Sequence, residues 1–185
     1  MPSNPTHAEP VALVTGGARR IGAAIVRTLH GAGMKVVVHY RASAAEAQAL
    51  EAELENTRAN SVVLASGDLC DVETPVSLIQ TATRHFGRLD LLVNNASSFY
   101  PTPLGKTSDA QFDDLIGTNL KAPFFLAQAA ADALTSTQGA IINIADLYAD
   151  RPMKFYPVYS AAKATLVSLT RSLARELAPA VRVNA

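Results

Sequence analysis

The sequence predicts an α/β fold, in which a doubly wound parallel β-sheet carries helices on both faces. Short β-branched runs alternate along the chain with longer segments rich in alanine and leucine. The runs are apolar at successive positions rather than at every second one, which is typical of strands buried on both faces. Repeated strand–helix units require right-handed crossovers, and these place the helices on the two sides of one sheet.

The alternation gives each element an expected position. Strands are expected at residues 11–15, 35–40, 61–66, 89–94 and 140–145, and residues 181–185 look like the start of a sixth. Helices are expected at residues 19–30, 44–58, 75–86, 109–134 and 159–177. Pro75 suits the first turn of its helix, where an N–H group would be unpaired anyway, whereas Pro123 should kink the fourth helical segment.

Length and composition indicate one globular domain. The chain has 185 residues, of which 49% are apolar and 17% charged, and its formal net charge is zero. This balance gives no indication of nucleic-acid binding. We expect a flexible segment at residues 1–10 and a single domain at residues 11–185.

Targeting signals and cysteine usage bear on the compartment. The first ten residues lack a basic region and an apolar core, and no stretch is long enough to span a bilayer, so the sequence predicts a cytoplasmic protein that does not contact membranes. Cys70 stands alone, which excludes an intramolecular disulfide. It is either a packed structural residue or a reactive thiol.

A glycine-rich turn follows the first expected strand. Gly16, Gly17 and Gly22 lie between that strand and the next helix, where small residues and free N–H groups can approach a pyrophosphate. The spacing departs from the plain GxGxxG fingerprint, and such turns also occur for packing alone. The turn is therefore a candidate nucleotide site.

The end of the second strand bears on cofactor choice. A site that prefers NAD places a carboxylate there for the ribose hydroxyls, but residues 39–43 contain none. Arg41 and Ser43 can donate to a 2′-phosphate, and Arg19 and Arg20 add positive charge in the glycine turn. This pattern favours NADPH over NADH, with solvated surface arginines as the alternative.

A tyrosine–lysine pair lies near the start of the last expected helix. Tyr159 and Lys163 are one helical turn apart, so the ammonium group is expected beside the phenol, where it would lower the phenol pKa. Such a phenol could give a proton to a substrate. The spacing is also common by chance, and Tyr156 offers a contrast because Ser160 follows it at the same interval.

Four ordered motifs carry a family resemblance. With TGGARRIG, NNAS, the asparagine of TNL and YSAAK, the chain resembles the short-chain dehydrogenase/reductase family from about residue 11 to its end. The resemblance implies a Rossmann-type fold. It also implies that Tyr159 is the proton donor, that Lys163 holds the nicotinamide ribose and tunes Tyr159, and that Asn119 supports a water-mediated proton path.

The same resemblance implies a cofactor-binding set and no metal. Residues 94–97 would wall the cofactor pocket, and Asp68 would contact the adenine. The implied set is Gly16, Arg19, Arg20, Ile21, His39, Tyr40, Arg41, Ser43, Asp68, Leu69, Asn94, Ala96, Ser97 and Lys163.

Asp146 departs from the common family pattern, because most members carry serine at this position. HYRASAAEA, NNASSFYPTPL and an aspartate ahead of YSAAK are similar to the pteridine reductase branch. Reduction of a pterin C=N bond needs hydride at carbon and a proton at ring nitrogen. An acid that relays protons through Tyr159 suits that reaction better than a hydroxyl that polarises a carbonyl.

Phe99 fits the same interpretation. A flat heterocycle needs an aromatic face opposite the nicotinamide. The resemblance implies that Phe99 stacks on the pterin, that Ser97 and Arg20 bond its polar edge, and that Asp146 and Tyr159 also contact it. The alternative is a loop whose aromatic residues, at 99–101, anchor it in the core.

The leading hypothesis is an NADPH-dependent pteridine reductase that acts on dihydropterins, with dihydrofolate or oxidised pterins as further substrates. A short-chain carbonyl reductase in which Asp146 is incidental is one alternative, and a nucleotide-binding fragment without turnover is another. The family implies a homotetramer, and the segments 109–134 and 159–177 are candidates for its contacts. We expect the natural domain to continue past Ala185, because members have a further substrate-covering segment, helix and strand.

Overall fold

A computed structural model describes residues 9–185 of the chain. The expected flexible segment, residues 1–10, lies outside the described residues except for its last two. Six parallel strands form one sheet in the order β3-β2-β1-β4-β5-β6. The strands are β1 Val11–Val14, β2 Lys35–Tyr40, β3 Val62–Ser66, β4 Leu91–Asn94, β5 Ala140–Asn143 and β6 Arg182–Asn184.

Helices connect successive strands. They are α1 Arg20–Gly31, α2 Ala44–Glu55, α3 Thr74–Phe86, α4 Asp109–Ile116, α5 Ala122–Thr137 and α6 Pro157–Glu176. A π-helical turn, Gly117–Lys121, joins α4 to α5, and a 3₁₀ turn, Leu147–Ala149, follows β5. None of the helices among residues 9–185 has the length and apolar character that crossing a membrane requires.

The doubly wound parallel sheet confirms the fold prediction. All four residues of β1 are fully buried, as continuous apolar runs require. One face of the sheet is covered by a core that includes Leu13, Leu92 and Leu126, and the other by a core that includes Val26 and Leu50. Pro75 lies in the first turn of α3, as expected.

The strand order reverses between β1 and β4. From β1 the chain adds β2 and then β3 on one side of the sheet. It then crosses to the other side of β1, where it adds β4, β5 and β6 in turn. At such a reversal, the loops that leave the carboxyl ends of the two central strands diverge to opposite faces and leave a crevice. The fold therefore predicts a ligand site at the carboxyl ends of β1 and β4.

The fourth helical segment differs from its prediction. It is not one kinked helix over residues 109–134, because the π-helical turn separates α4 from α5, and Pro123 lies in the first turn of α5. A proline at that place cannot donate to the carbonyl of Asn119, four residues earlier, so regular α-helical bonding cannot run through the junction. π-Helical turns often mark functional sites, and this one contains Asn119.

Glu55 ties the end of α2 to the start of β3. Its carboxylate accepts the backbone N–H groups of Asn60, Ser61 and Val62 at 2.7, 2.8 and 2.7 Å. Burial raises the pKa of Glu55, but these three donors lower it by more, and the net pKa lies below its ordinary value. The stabilisation is therefore present above the pKa of an unfolded glutamate and is lost as the pH falls through the folded pKa.

We predict that Glu55→Gln lowers the free energy of unfolding by about 1–2 kcal/mol at neutral pH, since an amide offers one oxygen for three donors. Urea unfolding over a pH series measures this. The difference from the unmodified chain should shrink toward acid pH. Glu51→Gln is the control on the same helix and should have little effect; a loss that is constant with pH would contradict the role of the carboxylate.

Candidate active site

A cavity of about 530 Å³ opens at the carboxyl ends of β1 and β4, where the strand order reverses. Most of the expected cofactor-binding residues line it: Gly16, Arg19, Arg20, Ile21, His39, Arg41, Asp68, Leu69, Ala96 and Ser97. Its lining also includes Gly22, Asn95, Ser98 and Thr118.

Three expected residues from the strand ends lie outside the lining. Tyr40 and Ser43 flank Arg41 at the end of β2 but do not line the cavity. Asn94 is buried and donates Nδ2 to Asn143 Oδ1 at 2.8 Å, which joins β4 to β5. The next residue, Asn95, takes the place expected for the Asn94 side chain, because successive residues of an extended chain point in opposite directions.

The glycine turn is held more tightly than the sequence predicts. The N–H of Gly16 donates to Nδ1 of His39 at 3.2 Å, and the N–H of Gly17 donates to the carbonyl of His39 at 2.8 Å. Neither of these two N–H groups is therefore free for a pyrophosphate. A Cβ on Gly22 would lie 2.1 Å from the carbonyl oxygen of Gly16, so only glycine allows α1 to start this close to the turn.

Unpaired N–H groups remain at the first turn of α1, where an anion is also favoured by the helix dipole. Arg20 begins this helix with a φ of 50°, a left-handed conformation that costs a non-glycine residue about 1–2 kcal/mol. Arg19 lies beside it, and both side chains line the cavity. The helix start and the two arginines together fit a dinucleotide phosphate.

Arg41 also lines the cavity. Its Nη1 atom is 3.6 Å from Asp68 Oδ2 and 3.8 Å from Asp114 Oδ1, and more than half of its side chain is exposed. Exposed ion pairs of this kind contribute about 0–1 kcal/mol, so the guanidinium can turn to a phosphate at little cost. Arg19, Arg20 and Arg41 thus line one cavity, and all three are exposed.

Asp146 and Tyr159 form one hydrogen-bonded pair. The Tyr159 hydroxyl donates to Asp146 Oδ2 at 2.6 Å, and the other carboxylate oxygen accepts the backbone N–H of Tyr148 at 2.9 Å. Tyr159 itself is 4% exposed. The loop after β5 supplies the acid and the first turns of α6 supply the phenol, so the pair depends on the docking of α6 against β5.

The surroundings of Tyr159 raise its pKa. Burial is the main cause, the hydrogen bond and charge of Asp146 act in the same direction, and the Ser97 hydroxyl opposes them. The net shift of the Tyr159 pKa is thus upward, whereas the sequence predicted that Lys163 would lower it. The Lys163 ammonium donates to the carbonyl of Ile144 at 2.8 Å and lies 5.8 Å from the centre of the Tyr159 ring.

Lys163 is itself perturbed. It is 3% exposed and does not line the cavity, so the structure does not place it at the cofactor surface that the sequence predicts. Burial lowers the pKa of Lys163 to about 8, although the negative charge of Asp146 acts to raise it. The ammonium and the Asp146 carboxylate thus both lie near the phenol, in a cluster whose Tyr159 and Lys163 are buried.

Asn119 links this cluster to the π-helical turn. Its Nδ2 donates to the carbonyls of Leu115 and Ser98, each at 3.0 Å, and its Oδ1 accepts the Ser97 hydroxyl at 2.7 Å. The side chain therefore satisfies a carbonyl of α4 and also holds the loop after β4. Ser97 lines the cofactor cavity and acts on the pKa of Tyr159, which puts it between the two halves of the site.

Phe99 lies beside this pair, with its ring in contact with Tyr159. Half of the residue is exposed, so it does not anchor its loop in the core. Its ring stacks on Tyr156, with centroids 4.7 Å apart and planes 13° apart, and lies edge-on to Tyr159 at 4.8 Å. In contrast, Tyr100 does anchor the loop, because its hydroxyl donates to Asp114 Oδ2 at 2.8 Å.

Tyr156 is a site residue that the sequence reasoning missed. Four residues after Tyr156 comes Ser160 instead of a lysine, so the spacing does not indicate a catalytic role. Its contact with Phe99 depends on two loops that are far apart in the chain. They are joined by a hydrogen bond from the N–H of Thr102 to the carbonyl of Phe155 at 2.7 Å. Spacing along one helix could not reveal this contact.

Cys70 lies under the π-helical turn, with Sγ 3.7 Å from Thr118 Oγ1. Burial raises the pKa of its thiol, which keeps the thiol protonated and less nucleophilic. This environment favours the packed structural residue over the reactive thiol.

Comparison with known proteins adds to this geometry. A family model described as short chain dehydrogenase matches residues 10–185. The chain is 39% identical to Pteridine reductase 1 of Leishmania tarentolae, an alignment that covers all of this chain and 76% of that protein. It is 36% identical to the short-chain dehydrogenase/reductase FrzI of a Cladobotryum species, over 94% of this chain and 66% of that protein.

A third relative has a different named reaction. The chain is 35% identical to the 3-oxoacyl-(acyl-carrier-protein) reductase FabG of Staphylococcus aureus, over 94% of this chain and 71% of that protein. The chain thus spans between 66% and 76% of the length of these relatives. The family match over the described fold, with the glycine turn and the Tyr159–Lys163 pair in place, establishes that the chain belongs to the short-chain dehydrogenase family.

Proposed function

We propose that the protein is an NADPH-dependent pteridine reductase that reduces a C=N bond of a dihydropterin, with dihydrofolate or oxidised pterins as further substrates. The observation that carries the proposal is the 2.6 Å hydrogen bond between Tyr159 and Asp146 beside the exposed ring of Phe99. The 39% identity to a protein named pteridine reductase supports it. In this role the protein acts as a cytoplasmic enzyme on a small soluble substrate.

The cofactor choice follows from the cavity. No carboxylate follows β2 at residues 41–43, and Arg19, Arg20 and Arg41 line the space that would receive phosphates. A bound nicotinamide would supply the hydride. The protein residues orient the dinucleotide and exclude water, and the first turn of α1 offers its unpaired N–H groups to the pyrophosphate.

Tyr159 gives the proton. Its raised pKa keeps the phenol protonated over the whole neutral range, so Tyr159 still carries its proton when the substrate binds. Loss of that proton leaves a phenolate at hydrogen-bond distance from the Asp146 carboxylate, and two negative charges so close disfavour each other. We therefore assign to Asp146 the role of carrying the replacement proton from solvent to Tyr159. A serine could not take up a proton in this way.

Lys163 balances the charge of this pair. Its ammonium is anchored on the Ile144 carbonyl and, with a pKa of about 8, remains mostly protonated at neutral pH. The family resemblance would also give Lys163 the nicotinamide ribose, and this requires its ammonium to become accessible from the cavity, because it does not line the cavity in the structure. Asn119 keeps the Ser97 hydroxyl next to Tyr159. Ser97 and Arg20 would then bond the polar edge of the pterin.

A carbonyl reductase is the second candidate, favoured by the 35% identity to FabG. The half-exposed Phe99 beside Tyr159 argues for the pterin, because a small ketone makes little use of an aromatic ring. We also propose that the protein is a homo-oligomer whose contacts use α4 and α5. Partly exposed phenylalanines on these helices support that proposal: Phe112, Phe124 and Phe125.

The first test is NADPH oxidation with a dihydropterin and, in parallel, with a small ketone. We predict that Phe99→Ala lowers kcat/KM for the pterin by roughly tenfold to a hundredfold, since stacking on one aromatic ring contributes about 1–3 kcal/mol. The ketone reaction should change little. Val76→Ala, at an exposed apolar residue on α3, is the control. Ketone turnover without pterin turnover would favour the carbonyl reductase, and cofactor binding without either turnover would favour a nucleotide-binding chain that is not catalytic.

Asp146→Ser tests the proton path. Removal of the carboxylate takes away two causes that raise the pKa of Tyr159, so we predict a lower phenol pKa together with slower pterin turnover. Ultraviolet difference absorbance of the phenolate measures the pKa, and its loss in Tyr159→Phe identifies the signal. Asp150→Ser is the matched control, because Asp150 is an exposed acid on the same loop. An unchanged Tyr159 pKa in Asp146→Ser would sink this assignment.

Arg41→Ala tests cofactor selection. We predict that it weakens NADP⁺ binding by about tenfold or more and leaves NAD⁺ binding unchanged, since a charge-assisted bond to phosphate contributes about 1.5–3 kcal/mol. Titration calorimetry with both dinucleotides measures the two affinities. Arg171→Ala, an exposed arginine on α6, is the control. Equal weakening of both dinucleotides would show that Arg41 does not read the 2′-phosphate.

A further inference from the structure

We infer that His39 is a positioning residue of the proposed NADP(H) site: a neutral imidazole with its proton on Nε2 that holds the glycine turn in its working shape. The family resemblance would make His39 a cofactor contact. In the structure its side chain is only 2% exposed and is fully engaged with the protein backbone. The inference rests on the proposed function, because the turn that His39 holds is the proposed dinucleotide site.

Two backbone partners determine the protonation state of the ring. Nδ1 lies 3.2 Å from the backbone nitrogen of Gly16, and Nε2 lies 3.1 Å from the carbonyl oxygen of Gly67. A backbone N–H can only donate and a carbonyl can only accept. Only the neutral tautomer with the proton on Nε2 satisfies both partners at once.

The ring joins three strand ends. Gly16 follows β1, His39 lies near the end of β2, and Gly67 follows β3, so the imidazole bridges the outer strand to the turn across the middle one. The His39 carbonyl also accepts the N–H of Gly17 at 2.8 Å. Gly16 has a φ of 60°, so the chain reverses direction at this residue. Its N–H is the group that donates to Nδ1 of His39.

A charged ring would not fit this arrangement. Protonation would place a second donor on Nδ1 against the N–H of Gly16, which has nothing to accept it. Burial lowers the pKa of His39, and this outweighs the bond to Gly67 and the charge of Asp68, which raise it.

The test uses two amides that each copy one nitrogen of the ring. Asparagine places a polar atom near the position of Nδ1 and can accept the N–H of Gly16, whereas glutamine reaches the position of Nε2 and can donate to Gly67. We expect His39→Gln to weaken the binding of NADP⁺ and of NAD⁺ alike by roughly five- to tenfold, about the effect of one hydrogen bond. His39→Asn should bind both within about twofold of the unmodified chain.

His85→Gln serves as the control, because His85 is exposed in the last turn of α3. Equal losses in His39→Asn and His39→Gln, or no loss in either, would overturn the role of the Gly16 bond, since a role in packing alone does not distinguish the two amides. Melting temperatures of both variants separate a folding defect from a binding defect.

A second measurement needs no variant. Nitrogen NMR of the unmodified chain at neutral pH should show Nδ1 of His39 unprotonated and Nε2 protonated. A proton on Nδ1, or a charged ring, would overturn the inference even if both variants fail to fold. If the unmodified chain bound neither dinucleotide, the proposed function would fail, while the NMR tautomer would still report separately on His39.

Discussion

The hydrogen bonds between Thr15 and Asn95 hold together the ends of the two central strands, and the rest of the site depends on them. Thr15 Oγ1 accepts the N–H groups of Asn95 and Ala96, each at 3.0 Å, and Asn95 Nδ2 donates to the Thr15 carbonyl at 2.8 Å. These bonds lie where the strand order reverses. The glycine turn leaves on one side of this junction, and the loop with Phe99 leaves on the other. These hydrogen bonds therefore set the distance between the cofactor cavity and Phe99.

Burial then decides the chemistry of the groups around that junction. Tyr159 and Lys163 are both nearly inaccessible, and each has its pKa shifted in the direction that favours its neutral form. Water would screen such interactions, whereas a buried site keeps them strong. The same effect acts on His39, which the turn requires to be uncharged. Desolvation of a few polar side chains, more than contacts between opposite charges, therefore prepares this site.

The two halves of the site share residues rather than adjoin as separate pockets. Ser97 lines the cofactor cavity and bonds Asn119, which in turn holds the carbonyl of Ser98 next to Phe99. Asp114 bonds Tyr100 of the same loop and lies 3.8 Å from Arg41. Consequently, a shift of the loop after β4 would reach both Arg41 and Phe99.

The sequence by itself determined the fold class, the approximate position of each strand and helix, and the motifs of the family, because burial periodicity and glycine spacing are local properties of the chain. Spacing along the last helix brought Tyr159 forward as a candidate, and the family resemblance added Asp146, Asn119 and Phe99. Only the tertiary structure decided that Lys163 bonds a carbonyl, that Asn95 rather than Asn94 lines the cavity, and that Tyr156 supports Phe99. These outcomes depend on which buried partner lies nearest after residues from distant loops have packed together, and a donor or acceptor in the sequence does not specify its partner.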